Sequence, residues 1–264
     1  MAGRLGSAFA SSAGRTGLIP YLTAGYPSLD HSLELMRALA PCSLALEVGV
    51  PFSDPIADGP DIQRASEWAL AHGVGVVEAL ELVRRFRRDH ALPVVVMTYA
   101  NPPLRLGIVE FARRAADAGV DGVIVSDLPP DEDPAAWDAL QAAGLDTVLL
   151  VAPTTDDARL ALLLPRCRGF VYCLARTGVT GDGGGFAGAL DRRVAEIRAH
   201  TPLPVAVGFG IATADHARAL PSGVEAAVVG AAFAREISRD PSRGVTERVT
   251  SKAEELAAAL SERR

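Results

Sequence analysis

Eight short apolar runs, at about residues 18–23, 44–50, 93–98, 122–126, 147–151, 169–174, 205–208 and 226–229, are spaced along a chain of 264 residues. Between them lie amphipathic segments: one opened by Ser28 and running to Leu39, then 76–90, 108–118, 134–143, 156–164, 192–199 and 213–220. The first pattern has the length and apolar content of strands buried on both faces, the second the period of helices with one apolar side. Strands that alternate with helices pair in parallel, because each crossover returns the chain to the same sheet edge. Eight such units predict an α/β fold, a (β/α)8 TIM barrel, with a long doubly wound sheet as the alternative. No Pro/Gly/Ser-rich linker interrupts the spacing, so residues 1–264 read as one domain, with an additional N-terminal helix within 1–16 and a C-terminal helix within 242–264. With 49% apolar but only 5% aromatic residues, the core must be built of Ala, Val and Leu.

The charge balance removes several classes of function. A net charge of −6, with no basic stripe, predicts neither a nucleic-acid partner nor a membrane-surface patch. Three cysteines, Cys42, Cys167 and Cys173, are odd in number and lack metal-ligand spacing, which predicts neither a disulfide framework nor a metal site. The first fifteen residues have no continuous apolar segment of signal-peptide length, and no run approaches ~18 apolar residues. The expectation is a cytoplasmic enzyme or binding protein.

One strand carries a residue that does not belong in an apolar core. In LALEVGVPFSDPIADGPDIQ (44–63), the two-residue period of a strand puts Leu44, Leu46, Val48 and Val50 on one face and Ala45, Glu47 and Gly49 on the other. The large side chains would face the helices and the acid would stand between small neighbours, with room beside it. Three prolines and Gly59 then stiffen a loop bearing Ser53, Asp54 and Asp58, and Asp58 can return over the strand end to oppose Glu47. Two carboxylates in unlike settings divide acid and base roles. The structural alternatives stay open at this point: an arginine partner for Glu47, and an N-cap role for Asp58 on the helix beginning at Pro60.

Barrel active sites gather at the carboxyl ends of the strands, and Asp54, Asp58, Tyr99–Asn101, Asp127, 176–185 and 208–210 all fall there. The single lysine, Lys252, is in the last helical segment, away from every strand end, which disfavours a Schiff-base mechanism. The five histidines, His31, His72, His90, His200 and His216, fall in or beside helices, which disfavours imidazole or metal chemistry. Cys173 alternates away from Tyr172 and should pack against helices. Glycine-rich stretches follow strands six (178–185), seven (208–210) and eight (228–232), where a barrel commonly holds a phosphate on backbone N–H groups. The first, with five glycines, reads either as a lid or as a plain connector.

LEVGVPFSDPIADGPDIQRAS, MTYANP, SDLPPDE, GFVYCLARTGVTG and PVAVGFGI, in this order, resemble the tryptophan synthase α subunit family from about residue 18 to 233. The resemblance implies a (β/α)8 barrel that cleaves indole-3-glycerol phosphate to indole and glyceraldehyde 3-phosphate without metal or Schiff base. It implies that Glu47 protonates the indole C3 and accepts the glycerol hydroxyl proton, and that Asp58 accepts the indole N–H. It also implies a pocket of Tyr21, Met97, Tyr99, Tyr172 and Thr180, with Asp127 at its rim, and a phosphate site of Gly181, Phe209, Gly210, Gly230 and Ala231. The implied partner is a β subunit in an α2β2 complex, contacting 51–60, 101–103 and the lid; pyridoxal phosphate would belong to that partner, and this chain would carry no cofactor.

Two positions depart from the family pattern. Ala231 stands where Ser is common, removing a hydroxyl donor worth roughly 1 kcal/mol, and Phe170 stands where many members have Tyr. Three other readings compete: a lyase that needs no partner, a non-catalytic barrel acting as a binding subunit, and an isomerase sharing only the glycine placements.

Overall fold

In the computed structural model, residues 3–12, 14–175, 185–208 and 210–263 are described. The strands are β1 (Gly17–Thr23), β2 (Leu46–Gly49), β3 (Val94–Thr98), β4 (Gly122–Val125), β5 (Asp146–Thr147), β6 (Leu149–Val151), β7 (Val171–Leu174), β8 (Val205–Gly208) and β9 (Ala226–Val229). All pair in parallel, in the order β5-β4-β3-β2-β1-β9-β8-β7-β6. Only Val148 separates β5 from β6, so the two ends of this sheet are one stretch of chain, and the sheet closes on itself. Nine hydrogen-bonded strands thus make the eight staves expected from the sequence. The fifth is counted twice because its first half pairs with β4 and its second with β7.

The helices are α1 (Arg4–Ser11), α2 (Leu29–Leu39), α3 (Pro60–Ala71), α4 (Val76–Phe86), α5 (Asn101–Leu106), α6 (Ile108–Ala118), α7 (Pro134–Ala142), α8 (Asp157–Leu163), α9 (Gly185–His200), α10 (Ala214–Arg218), α11 (Ala231–Arg239) and α12 (Val245–Ser261). Ser28 caps α2 as expected, its hydroxyl accepting from the His31 N–H. α5 and α11 are additions to the sequence reading. Each lies between a strand and the longer outer helix of its unit, and α3 likewise lies between β2 and α4, so the C-terminal end of the barrel carries three inserted helices.

Side chains sort by strand alternation into two apolar clusters. Leu46, Val48 and Val50 face the helices, with Val94, Val96, Val123, Val171, Val205 and Val207. Ile19, Ala45, Val95, Ile124, Val148, Phe170, Ala206, Ala226 and Val228 fill the barrel. Cys173 falls in the helix-facing cluster, as its register predicts. Leu44 does not: it precedes the regular pleat of β2 and packs against the interior set.

The N-terminal mouth is plugged by α1. Leu5 and Phe9 join the interior cluster, and the Phe9 ring lies 5.5 Å from that of Phe170. At this end, acids that precede a strand satisfy the first N–H of the neighbouring one. Asp121 accepts from the Val94 N–H at 2.8 Å and pairs with Arg87 and Arg4 at 2.6 Å each. Glu225 accepts from the Val205 N–H at 2.8 Å and pairs with Arg198. The strand starts are fixed by bonds that also hold the charges. Phe9→Ala should therefore lower the unfolding free energy by about 3 kcal/mol, by opening a cavity beneath Phe170. Urea titration checks this, and an unchanged midpoint would deny α1 its role as a plug.

Candidate active site

The opposite mouth is built around Glu47. Leu46 and Val48 must face the helix layer, and the alternation of β2 then sends Glu47 into the barrel at 1% exposure. Neither carboxylate oxygen has a hydrogen-bond partner among the described residues, which closes the reading of Glu47 as half of an arginine pair. Burial first, and the Asp58 carboxylate second, push its pKa up to about 8.

Glycine at two positions makes space for two aromatic rings beside that carboxyl. A Cβ on Gly49 would lie 2.0 Å from the Tyr21 hydroxyl, and one on Gly208 would lie 2.2 Å from that of Tyr172. Tyr21 stands opposite Glu47 in the β1–β2 register. Both phenols have their pKa raised well above the usual value, by burial first and then by the carboxylates, so they remain protonated. Met97 is buried in the same cluster.

Asp58 hangs over this chamber from the β2–α3 loop. It is not a helix cap: α3 is preceded by Gly59 and has no side-chain cap bond. Its Oδ2 accepts instead from the Tyr99 hydroxyl at 3.1 Å. Burial raises the Asp58 pKa to about 6, and that bond pulls it in the opposite direction. At neutral pH the site thus holds a protonated carboxyl below and an ionised one above. Ile62 of α3 and Ala234 of α11 add apolar side chains to the same cluster, which links the inserted helices to the chamber. This link is not legible in the sequence, because a helical period shows a buried face but not what that face covers.

On the other side of the mouth, Gly230 precedes α11, whose first residue is Ala231, and as the N-cap it supplies no side-chain bond to this helix. Gly210 has φ of 94°, a conformation that favours glycine. Uncapped N–H groups at a helix start are suited to an anion. Asp127, at the rim, accepts from the Ala100 N–H at 2.6 Å. Thr180, Gly181 and Phe209, and with them the lid reading of the loop after β7, lie outside the described residues. Among the described residues no three His, Cys, Asp or Glu side chains are grouped to hold a metal ion.

A closed parallel barrel with a neutral and an ionised carboxyl facing one chamber at its C-terminal end is the equipment of an acid–base enzyme. The comparisons give the family. The tryptophan synthase alpha chain model matches residues 8–261. The tryptophan synthase alpha chain of Chromobacterium violaceum is 46% identical over 259 residues, 97% of this chain and 99% of the relative. That of Alkalilimnicola ehrlichii is 47% identical over 254 residues, 96% and 91% of the two chains. Among solved structures, tryptophan synthase subunit alpha from Legionella pneumophila superposes with a TM-score of 0.90 at 31% identity, covering 99% of this chain and all of that one. A chain of tryptophan synthase from M. tuberculosis, in an open form, gives 0.88 at 36% identity, covering 99% and 100%. The chain belongs to the tryptophan synthase alpha chain family. No helix among the described residues is long and apolar enough to cross a membrane.

The Glu47 proton also bears on stability. Between about pH 4.5, where an unfolded glutamate ionises, and about pH 8, the folded chain binds one proton more than the unfolded chain. Stability from this group is therefore complete at low pH and declines as the pH rises through that window, by up to about 1.4 kcal/mol per unit. Glu47→Gln cannot ionise, so its melting temperature should exceed the parent's by a margin that grows from pH 5 to pH 8. A constant margin, measured by thermal scans across that range, would show that Glu47 ionises as freely folded as unfolded.

Proposed function

We infer that Glu47 and Asp58 are the working pair of the lyase half-reaction that goes with this family, the cleavage of indole-3-glycerol phosphate to indole and glyceraldehyde 3-phosphate. The observation that carries this is Glu47 itself, a carboxyl enclosed in the barrel, without a hydrogen-bond partner among the described residues and holding its proton at neutral pH. The indole ring lies between the tyrosines, with C3 toward Glu47. The Glu47 carboxyl gives its proton to C3, and the positive charge that reaches the ring nitrogen is stabilised by the Asp58 carboxylate, which accepts the ring N–H. The hydroxyl on the adjoining glycerol carbon then passes its proton to the Glu47 carboxylate as the carbon–carbon bond breaks. The bond's electron pair returns to the ring, the hydroxyl carbon becomes the aldehyde, and Glu47 is again protonated for the next turnover.

The phosphate is held by the N–H groups at the start of α11, beside Gly230 and Ala231, with the stretch at Gly210 and the loop containing Gly181. Ala231 leaves backbone donors only, so the affinity rests on the helix terminus. The partner is a β subunit, docked over the mouth. Support comes from apolar side chains set in solvent there, Ile56 at 86% and Leu104 at 44% exposure, on the loop bearing Asp58 and on α5. A partner seated on these elements orders the catalytic loops, a coupling that acts in both directions.

Indole release by the purified chain, alone and with a tryptophan synthase β subunit, tests this reading. The expected outcome is slow release that rises strongly with the partner and falls about 10²-fold or more in Glu47→Gln. The parent chain's kcat/KM should fall off below about pH 6 and above about pH 8, as Asp58 gains and Glu47 loses a proton. Undiminished turnover in a folded Glu47→Gln chain would remove Glu47 from the chemistry.

A further inference from the structure

Tyr99 lies at the end of β3 and is buried, yet among the described residues its hydroxyl bonds only to the loop that bears Asp58. Its hydroxyl donates to Asp58 Oδ2 at 3.1 Å and accepts from the Ala57 N–H at 3.0 Å. Its ring stacks on Phe52 with centroids 5.0 Å apart. One side chain therefore grips residues 52, 57 and 58 of a loop whose other polar side-chain bonds, among the described residues, lie within the loop or to Gln63. The residue after Tyr99 is itself held, since the Ala100 N–H donates to Asp127 Oδ1 at 2.6 Å. The result is a continuous path from the end of β4, through the backbone at Ala100 and the Tyr99 phenol, to the Asp58 carboxylate.

We propose that Tyr99 is a positioning residue that holds Asp58 in its working place and in its ionised form, with Asp127 fixing the backbone from which Tyr99 reaches. This deepens the acid–base reading above and rests on it. The phenol spends its one proton on Asp58, and the Ala57 amide, by donating to the phenol oxygen, directs that proton there. The bond is to a charged acceptor and favours the carboxylate over the acid. It occupies Oδ2 and leaves Oδ1 for the ring N–H. Among the described residues, the titratable groups facing Asp58 from the packed elements are Tyr21 of β1, Glu47 of β2, Tyr99 itself and Tyr172 of β7, with Asp127 beyond Tyr99. Of these, only Tyr99 lowers the Asp58 pKa; burial opposes it.

Tyr99→Phe keeps the ring on Phe52 and removes only the hydroxyl. The expected result is a fall of roughly tenfold in kcat with a smaller change in KM, and an acid limb of kcat/KM displaced to higher pH while the alkaline limb set by Glu47 stays in place. In a Asp58→Asn background the same substitution should cost almost nothing, because its effect passes through the carboxylate. Faster hydrogen exchange at the Ala57 amide in Tyr99→Phe reports loss of the grip independently of turnover. An unmoved acid limb, or a full tenfold loss on top of Asp58→Asn, would overturn the positioning role. Parent chain that releases no indole would instead overturn the lyase reading, so the two failures are distinguishable.

Discussion

An ionisable group enclosed in an apolar barrel can be kept only if it stays neutral or is paired, and the arrangement around Glu47 follows from the first option. Ionising it in place would cost several kcal/mol, with no hydrogen-bond donor among the described residues to offset the loss. The chain accepts a proton bound to Glu47 up to about pH 8. Every neighbour is consistent with that choice. Ala45 and Gly49 leave the acid room on β2, glycines make room for the Tyr21 and Tyr172 rings beside it, and the Asp58 carboxylate repels a second negative charge there. Pairing Glu47 with an arginine would be safer for folding and would remove the proton that the chemistry uses.

The two ends of the barrel divide the remaining work. The N-terminal end is closed by α1, and Asp121 and Glu225 join arginines to the first N–H groups of neighbouring strands. Here both of these acids are paired with arginine. At the C-terminal end, backbone and side-chain groups are left with capacity: among the described residues, Glu47 has no hydrogen-bond partner and α11 has no side-chain cap. The three inserted helices, α3, α5 and α11, all sit at this end. Asp61 in the first turn of α3 pairs with Arg235 of α11 at 2.9 Å, so the helix that follows Asp58 is linked to the helix whose start faces the phosphate in the proposed reaction. Stability is concentrated where nothing needs to bind.

Much of this was legible in the sequence, for physical reasons that can be named. The eight staves show because each is a short apolar run between turn residues, and Glu47 shows because an acid in such a run must point somewhere small. Ser28 was readable as a cap from its place before an amphipathic segment. The split of the fifth stave at Val148 was not legible, since it depends on which neighbour each half meets. Leu44 was placed on the wrong face because the two-residue period was extended past the start of β2. α5 was hidden by Pro102 and Pro103, which read as a loop but sit in the first turn of a helix, where proline is tolerated. Tyr99 was readable as a pocket residue by resemblance. Its grip on Ala57 and Asp58, about forty residues away, exists only once the barrel has closed.

The account depends on Glu47 being a neutral acid in the resting chain. The most direct measurement is the infrared difference spectrum of the chain against Glu47→Gln, recorded from pH 5 to pH 10. The prediction is the carbonyl stretch of one protonated carboxylic acid at neutral pH, disappearing with a midpoint near 8. A Glu47 signal already in the carboxylate form at neutral pH, titrating in the ordinary glutamate range near 4.5, would contradict it.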